Sequence, residues 1–289
     1  MIQPDSRAVT ARNINFMIHE WGKQYQGQEP SLVLVHATGF HARCWDQVVA
    51  NVGERHIVAI DQRGHGGSDA PEFSNWSEFG DDLIAILTAL ELSQVDAVGH
   101  SMGGHASVAA AAKQPGLFSK LLLIDPVILE PNFYALWDPK TLAGDPLHPA
   151  ARRRSEFTSR DEMYERYHER LPFSLFTDQA MRDYCQHGLV ESDTGVRLAC
   201  PPHFEARIYD SACSNQDILA QATQVTIPVT VARSLQPEKP EDIMDFRYSP
   251  TWNQLASQFP DGRDVLLGHL THFMPMEDPA QVAQLIREL

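Results

Sequence analysis

The sequence predicts an α/β fold, a mostly parallel β-sheet flanked by helices and interrupted by an inserted helical lid. Three observations carry this. Short apolar runs recur along the chain and are continuous rather than alternating, as strands buried on both faces of a parallel sheet must be. A Gly-x-Ser-x-Gly pentapeptide, Gly99-His100-Ser101-Met102-Gly103, lies between one such run and an alanine-rich helical stretch. The strand rhythm then stops after Asp125-Pro126 and resumes only at Ile227.

The elements follow in order. Residues 8–11 and 15–21 alternate as strands and open the sheet with an antiparallel edge. Ser31 to Val35, His56 to Ile60 and Val95 to Val98 are the first three buried strands. Between them, Phe79, Leu83, Ile86, Leu87 and Leu90 recur at helical spacing and predict a helix over 79–90. Gly104 to Ala112 reads as a tightly packed helix, and Lys120 to Ile124 as a fourth buried strand. From Ile128 to Ala222 the chain is polar and proline-dotted, with helical candidates at 150–157, 160–169, 178–187 and 203–211 and no strong buried strand. Strands return at 227–232 and 264–267, and a helix over 279–289 closes the chain. The expected organisation is a core in two parts, 1–127 and 223–289, with the lid at 128–222.

Composition bounds the function. The chain has 289 residues, is 43% hydrophobic and 21% charged, and carries a formal net charge of −15. Such an acidic surface repels phosphate backbones and anionic membranes, so nucleic-acid binding is not expected. No run approaches the roughly 20 apolar residues of a membrane span, and the N-terminus has no signal-peptide pattern. Cys44, Cys185, Cys200 and Cys213 show no C-x-x-C spacing and fit reduced thiols, so the expected location is cytoplasmic. The oligomeric state is not legible.

The pentapeptide matters because of where it stands. A serine on a sharp strand-to-helix turn projects its hydroxyl, and the helix N-terminus behind it aims N–H groups at negative charge forming on an adjacent oxygen. Gly99 and Gly103 lie where side chains would collide with the neighbouring strand and helix. A serine hydroxyl is a poor nucleophile near neutral pH and needs a base, which an acid must orient. The base is expected late in the chain, where His269 and His272 follow the last strand. His272 is preferred because it stands just before the turn into the final helix, whereas His269 reads as a packing or supporting histidine.

Over nearly its whole length the chain resembles the α/β-hydrolase superfamily. Four motifs carry the resemblance: His36-Ala37-Thr38-Gly39-Phe40 after the third strand; Asp61-Gln62-Arg63-Gly64-His65-Gly66-Gly67-Ser68 after the fourth; the Ser101 turn; and the His272-x-x-x-x-Glu277-x-Pro279 ending. Ala37 departs from the usual glycine. The resemblance implies a serine esterase with Ser101 as nucleophile, His272 as base, and an oxyanion hole from the N–H groups of Thr38 and Met102. It implies neither a metal nor an organic cofactor, and its partner is a small acyl substrate.

The acid departs from the commonest pattern. Most relatives place an aspartate shortly after the strand matching 229–232, but here Arg233-Ser234-Leu235-Gln236-Pro237-Glu238-Lys239-Pro240 holds none before Asp242. Asp125 ends the preceding buried strand, a position used by certain dehalogenases and a group of acyl-CoA hydrolases. Asp125 is therefore preferred over Glu238 and Asp242. Its position, the run His36 to His41 and the cluster Arg152-Arg153-Arg154 keep acyl-CoA thioester hydrolysis as an alternative, while a solvated helix face is the plainer reading of the arginines. A non-catalytic ligand-binding protein on the same scaffold is a third reading. Phe133, Tyr134, Trp137, Phe173 and Phe176 either line an acyl pocket or hold the lid to the body. Asp61 and His65 shape a loop, and His100 packs beside the serine turn.

Overall fold

A computed structural model describes residues 3–138, 140, 144, 148–239 and 245–289. The chain begins with a hairpin of β1 (Asp5–Ala11) and β2 (Ile14–Trp21), which pair antiparallel. The strands that follow are β3 (Leu32–Val35), β4 (Ile57–Ile60), β5 (Val95–His100) and β6 (Phe118–Ile124). After the insertion come β10 (Val229–Arg233) and β11 (Gly262–Leu266), numbered in chain order across the three insertion strands described below. Together they form an eight-stranded sheet in the order β1-β2-β4-β3-β5-β6-β10-β11. All pairings from β4 to β11 are parallel, and β2 meets β4 antiparallel. The strands β3 and β4 are buried at every residue, which explains their unbroken apolar runs.

Each sheet face has its own core. Val33 and Val35 point to one face and pack with Leu83 and Ile86 of α2 (Ser77–Ala89) and Val108 of α3 (Met102–Lys113). Leu32 and Leu34 point to the other, joining Val48 of α1 (Asp46–Val52) and Val282 and Ile286 of α10 (Pro279–Arg287). This alternation along one strand is the period-2 geometry of the pleat. Burying both faces is the main stabilising term and fixes register, because a one-residue slip would exchange the two sets.

The segment 128–222 contains α4 (Pro131–Leu136), α5 (Arg160–Tyr167), α6 (Asp178–His187), α7 (Pro202–Asp210) and α8 (Ile218–Gln224). It also contains a three-stranded sheet absent from the sequence expectation: β7 (Glu156–Phe157), β8 (Leu189–Ser192) and β9 (Gly195–Leu198), in the order β7-β9-β8. Each strand has at most four residues and one solvated face, so none makes a continuous apolar run. The helix expected over 150–157 is instead a 3-10 turn, Pro149–Arg152, followed by extended chain into β7. Among the described residues no helix is long and apolar enough to cross a membrane.

Candidate active site

Ser101 stands at the C-terminal tip of β5, near the centre of the sheet, with α3 beginning at the next residue. Its backbone has φ 56° and ψ −117°, a conformation that L-residues avoid and that costs on the order of 1–3 kcal/mol. The surroundings enforce it. Ser101 N–H donates to the Ile124 carbonyl at 3.0 Å, and its own carbonyl accepts from Gly104, His105 and Val127 at 3.0–3.2 Å. A methyl group on Gly99 would lie 2.4 Å from the Gly103 carbonyl oxygen, and one on Gly103 would lie 2.2 Å from that of Val35. Glycine is therefore required at both positions for the turn to close against β3 and α3.

His272 reaches Ser101 from the loop before α9 (Met274–Glu277). Its Nε2 lies 3.1 Å from Ser101 Oγ, and its Nδ1 lies 2.9 Å from Asp125 Oδ2. A carboxylate only accepts, so the proton of the neutral ring resides on Nδ1 and the Nε2 lone pair faces the hydroxyl. The loop is held from several sides. His272 N–H donates to the Phe246 carbonyl at 3.2 Å, and the Phe246 ring stacks on the imidazole at 6.0 Å. His100 donates through Nε2–H to the His272 carbonyl at 2.8 Å. Glu277 accepts from the N–H and hydroxyl of Thr271 at 2.9 and 2.7 Å. His269 is exposed and takes no part in this arrangement, so it is neither a packing nor a supporting histidine.

Asp125 is fully buried at the end of β6, itself in left-handed backbone at φ 44°. Its Oδ1 accepts from Ser234 N–H at 3.2 Å and from the Ser249 hydroxyl, while the single hydroxyl proton of neighbouring Thr251 goes to the Pro126 carbonyl at 2.8 Å. Its Oδ2 accepts from Ser234 Oγ at 3.1 Å as well as from His272. Burial alone would raise the carboxyl pKa. The hydrogen bond and charge of His272, then the Ser249 and Ser234 donors, outweigh it and hold the carboxyl below its ordinary value. The hydroxyl cradle was not anticipated. Ser234 occupies the stretch where most members of the resembled superfamily carry the acid, and Ser249 and Thr251 carry no local motif. Glu238 is exposed, and Asp242 lies outside the described residues.

Thr38 is buried beside the serine turn, with its hydroxyl 3.5 Å from Met102 Sδ. Met102 is the first residue of α3, where helical N–H groups have no intrahelical acceptor. The loop bearing Thr38 is fixed by two histidines. His36 Nδ1–H donates to the Ala37 carbonyl at 2.8 Å while its Nε2 accepts from Gln62 N–H at 3.0 Å. His65 Nδ1–H donates to the Arg63 carbonyl at 2.9 Å while its Nε2 accepts from Gly39 N–H at 3.0 Å. Both act as neutral rings, burial having lowered their pKa values to about 3 and about 4. Asp61 braces the same region by accepting from Ala42 and Gly67 N–H groups at 2.7 and 2.9 Å.

A cavity of about 230 Å³ opens onto Ser101 and His272. Its walls come from distant stretches: Trp76 before α2, Leu129 and Phe133 at the start of the insertion, Tyr209 at its far end, and Phe246 and Tyr248. The aromatic candidates divide. Phe133 lines the cavity, Tyr134 lies in the sheet-face core, and Phe173 and Phe176 pack around Phe40, Tyr184 and Phe273. Trp137 is only partly buried, with its indole N–H 3.5 Å from the Asp210 carbonyl oxygen. The three arginines do not form a helix face. Arg153 is held by Glu205 at 2.7 Å and by the Tyr184 hydroxyl at 2.9 Å, Arg154 pairs with Glu162 at 2.6 Å, and Arg152 is exposed. Among the described residues no three His, Cys, Asp or Glu side chains converge as metal ligands.

Comparison with known proteins agrees with this architecture. The model of the alpha/beta hydrolase family matches residues 32–285. A 2-(acetamidomethylene)succinate hydrolase of Mesorhizobium japonicum is 31% identical over 122 residues, 42% of each chain. An esterase of Mycobacterium tuberculosis is 32% identical over 124 residues, 42% of this chain and 39% of that protein. The chain thus spans about two fifths of the length of these curated relatives. The crystal structure of E-2-(acetamidomethylene)succinate hydrolase superposes with a TM-score of 0.76 at 22% identity, covering 99% and 98% of the two chains. The enol-lactonase from Burkholderia xenovorans superposes with a TM-score of 0.68 at 19% identity over 98% of each chain. At such identities the structural likeness speaks for the fold alone.

Proposed function

The chain belongs to the alpha/beta hydrolase family, and on that premise we propose that it is a serine hydrolase cleaving a carboxylic ester or related acyl bond through an acyl-enzyme on Ser101. One observation carries the reading: the unbroken chain Ser101 Oγ, His272 and Asp125, with separations of 3.1 and 2.9 Å, at the floor of a cavity. Ser101 Oγ attacks the substrate carbonyl carbon while His272 Nε2 takes its proton. Asp125 stays ionised, holds the Nδ1–H tautomer and stabilises the imidazolium. The N–H groups of Thr38 and Met102 receive the oxyanion. The tetrahedral adduct collapses as His272 returns the proton to the leaving oxygen. Water then repeats the sequence on the acyl-enzyme, releasing the acid and free Ser101.

The lid expected at 128–222 is in this scheme the part of that segment carrying Phe133, Tyr209 and Cys213, which wall the cavity above the serine, whereas Tyr134, Ile218 and Ala222 pack in the sheet-face core. The four cysteines are free, which supports a reducing, cytoplasmic setting. The thioester alternative is weakened by the pairing of Arg153 and Arg154 with carboxylates. A fluorophosphonate probe tests the reading. It should label the native chain and not Ser101→Ala, and Ser101→Ala should lose several orders of magnitude in p-nitrophenyl ester turnover. Turnover of acyl-CoAs in preference to those esters selects the thioester alternative. An unlabelled native chain favours the ligand-binding one.

A further inference from the structure

The cavity over Ser101 has no charged wall among the described residues. Among the described residues that line it there is no Lys, Arg, Asp or Glu side chain, and His272 is its only imidazole. The residues outside the description, 1–2, 139, 141–143, 145–147 and 240–244, contain Asp145, Glu241 and Asp242 but no Lys, Arg or His side chain. Partly buried Arg153 of the insertion spends its guanidinium on Glu205 and the Tyr184 hydroxyl. The walls are instead Trp76, Leu129, Phe133, Tyr209, Phe246 and Tyr248. At about 230 Å³ the space is roughly half as large again as the ~150 Å³ cavity that holds benzene.

A carboxylate brought into this space would lose its water and gain no cation. It would also approach the ionised Asp125, inside a chain of net charge −15. We infer that the site takes substrates whose cavity-bound portion is uncharged and apolar, of the size of a phenyl ring with a few further atoms or a short acyl chain, and that it rejects carboxylate-bearing acyl groups. The inference rests on the serine-hydrolase reading above. It separates this chain from relatives named for succinate derivatives, with which it shares a fold.

Three chromogenic esters whose acyl chains differ by at most about one atom in length test it: p-nitrophenyl valerate, p-nitrophenyl hemisuccinate, and the methyl-capped p-nitrophenyl succinate. The full chain should turn over the hemisuccinate at a kcat/KM about 100-fold or more below the valerate, the order expected from burying an unpaired carboxylate. The methyl cap should restore kcat/KM to within about tenfold of the valerate. The penalty should persist at 0.5 M salt, where the Debye length is only a few ångströms and the long-range field of the chain is screened. Comparable turnover of valerate and hemisuccinate overturns the inference. So does a methyl-capped ester as poor as the hemisuccinate, because size rather than charge would then decide. A penalty that disappears in salt overturns it as well, by moving the cause from the cavity to the net charge. Failure of the hydrolase reading has another signature: no ester is cleaved and a fluorophosphonate leaves Ser101 unlabelled. If Ser101 is labelled yet all three esters remain intact, the substrate class alone is wrong.

Discussion

Asp125→Asn is the substitution whose outcome the geometry specifies most closely. Asparagine has the same shape as aspartate and tolerates left-handed backbone, so φ 44° at this position adds no strain. The amide has one accepting oxygen and one donating NH₂, and their orientation is not free. The Ser234 backbone N–H points at the Oδ1 position from 3.2 Å and can only donate. The amide oxygen must stay there, and the NH₂ falls at the Oδ2 position, 2.9 Å from His272 Nδ1. An NH₂ facing Nδ1 makes that nitrogen the acceptor and moves the ring proton to Nε2, beside Ser101. The base then has no lone pair for the hydroxyl, and no anion stabilises the imidazolium. By analogy with the protease triad the loss approaches ~10⁴ in kcat, about 5 kcal/mol of transition-state stabilisation. The assay is p-nitrophenyl ester turnover alongside thermal unfolding, with Glu238→Gln and Asp242→Asn as controls expected to stay within about tenfold. A folded Asp125→Asn chain that keeps more than a tenth of native kcat refutes the reasoning, as does a severe loss at Glu238 or Asp242.

His272→Ala should cost about as much activity as Ser101→Ala, since the residues act as a unit, whereas exposed His269→Ala should be nearly silent in the same ester assay. A larger loss at His269 would reverse the assignment of the base. Adding Ser234→Asp to Asp125→Asn should recover at least tenfold of the lost kcat, because Ser234 Oγ already lies 3.1 Å from the carboxylate oxygen that meets His272. No recovery in a folded double variant would show that β10 cannot present the acid. Stability should fall as pH drops below about 6.5. Burial lowers the pKa of His36 and His100 to about 3 and of His41, His65 and His105 to about 4, so the unfolded chain binds protons first. Each fully buried imidazole then removes up to roughly 1 kcal/mol per pH unit between pH 6.5 and its folded value. A denaturation midpoint unchanged from pH 7 to pH 5 would contradict these neutral rings.

The central strands and the serine turn were legible because their causes are local. Leu32 to Val35 must be apolar throughout to be buried on both faces, and Gly99 and Gly103 must lack side chains for Ser101 to turn. Their residues therefore state their own structure. The small sheet of 156–198 has no such imprint, because its strands are short and half solvated and stand only by pairing with one another. Its nearest local signal, the alternation of Val196 and Leu198 on β9, is too brief to distinguish from loop. The cavity is illegible for a different reason. Trp76, Phe133, Tyr209 and Phe246 meet only because four connections converge above the sheet, and no window of sequence contains two of them.

The position of the proposed acid joins these two cases. Asp125 could be put forward because a buried strand ends in Asp-Pro and the stretch after the next strand, where most relatives of the resembled superfamily carry it, has no nearby aspartate. What could not be read is why the exchange of strands is harmless. β6 and β10 are parallel neighbours in register, with Ile124 opposite Ala232. One residue beyond, Asp125 N–H donates to the Ala232 carbonyl at 2.7 Å, and Ser234 returns two donors to the Asp125 carboxylate. The two strand ends thus open on the same spot beside His272. A carboxylate at either can meet the imidazole, provided the other end supplies donors rather than a second negative charge. Two carboxylates so close would compete for one proton, and the pKa of one would rise until it became neutral. Serine at 234 satisfies remaining lone pairs of Asp125, with Ser249 completing the set and Thr251 bonded to the adjoining Pro126 carbonyl. The same loop that brings those hydroxyls also brings Phe246 and Tyr248 to the cavity wall. The segment that donates to the Asp125 carboxylate therefore also walls the cavity, so on the proposed mechanism substitutions within it should change substrate preference and the protonation of Asp125 together.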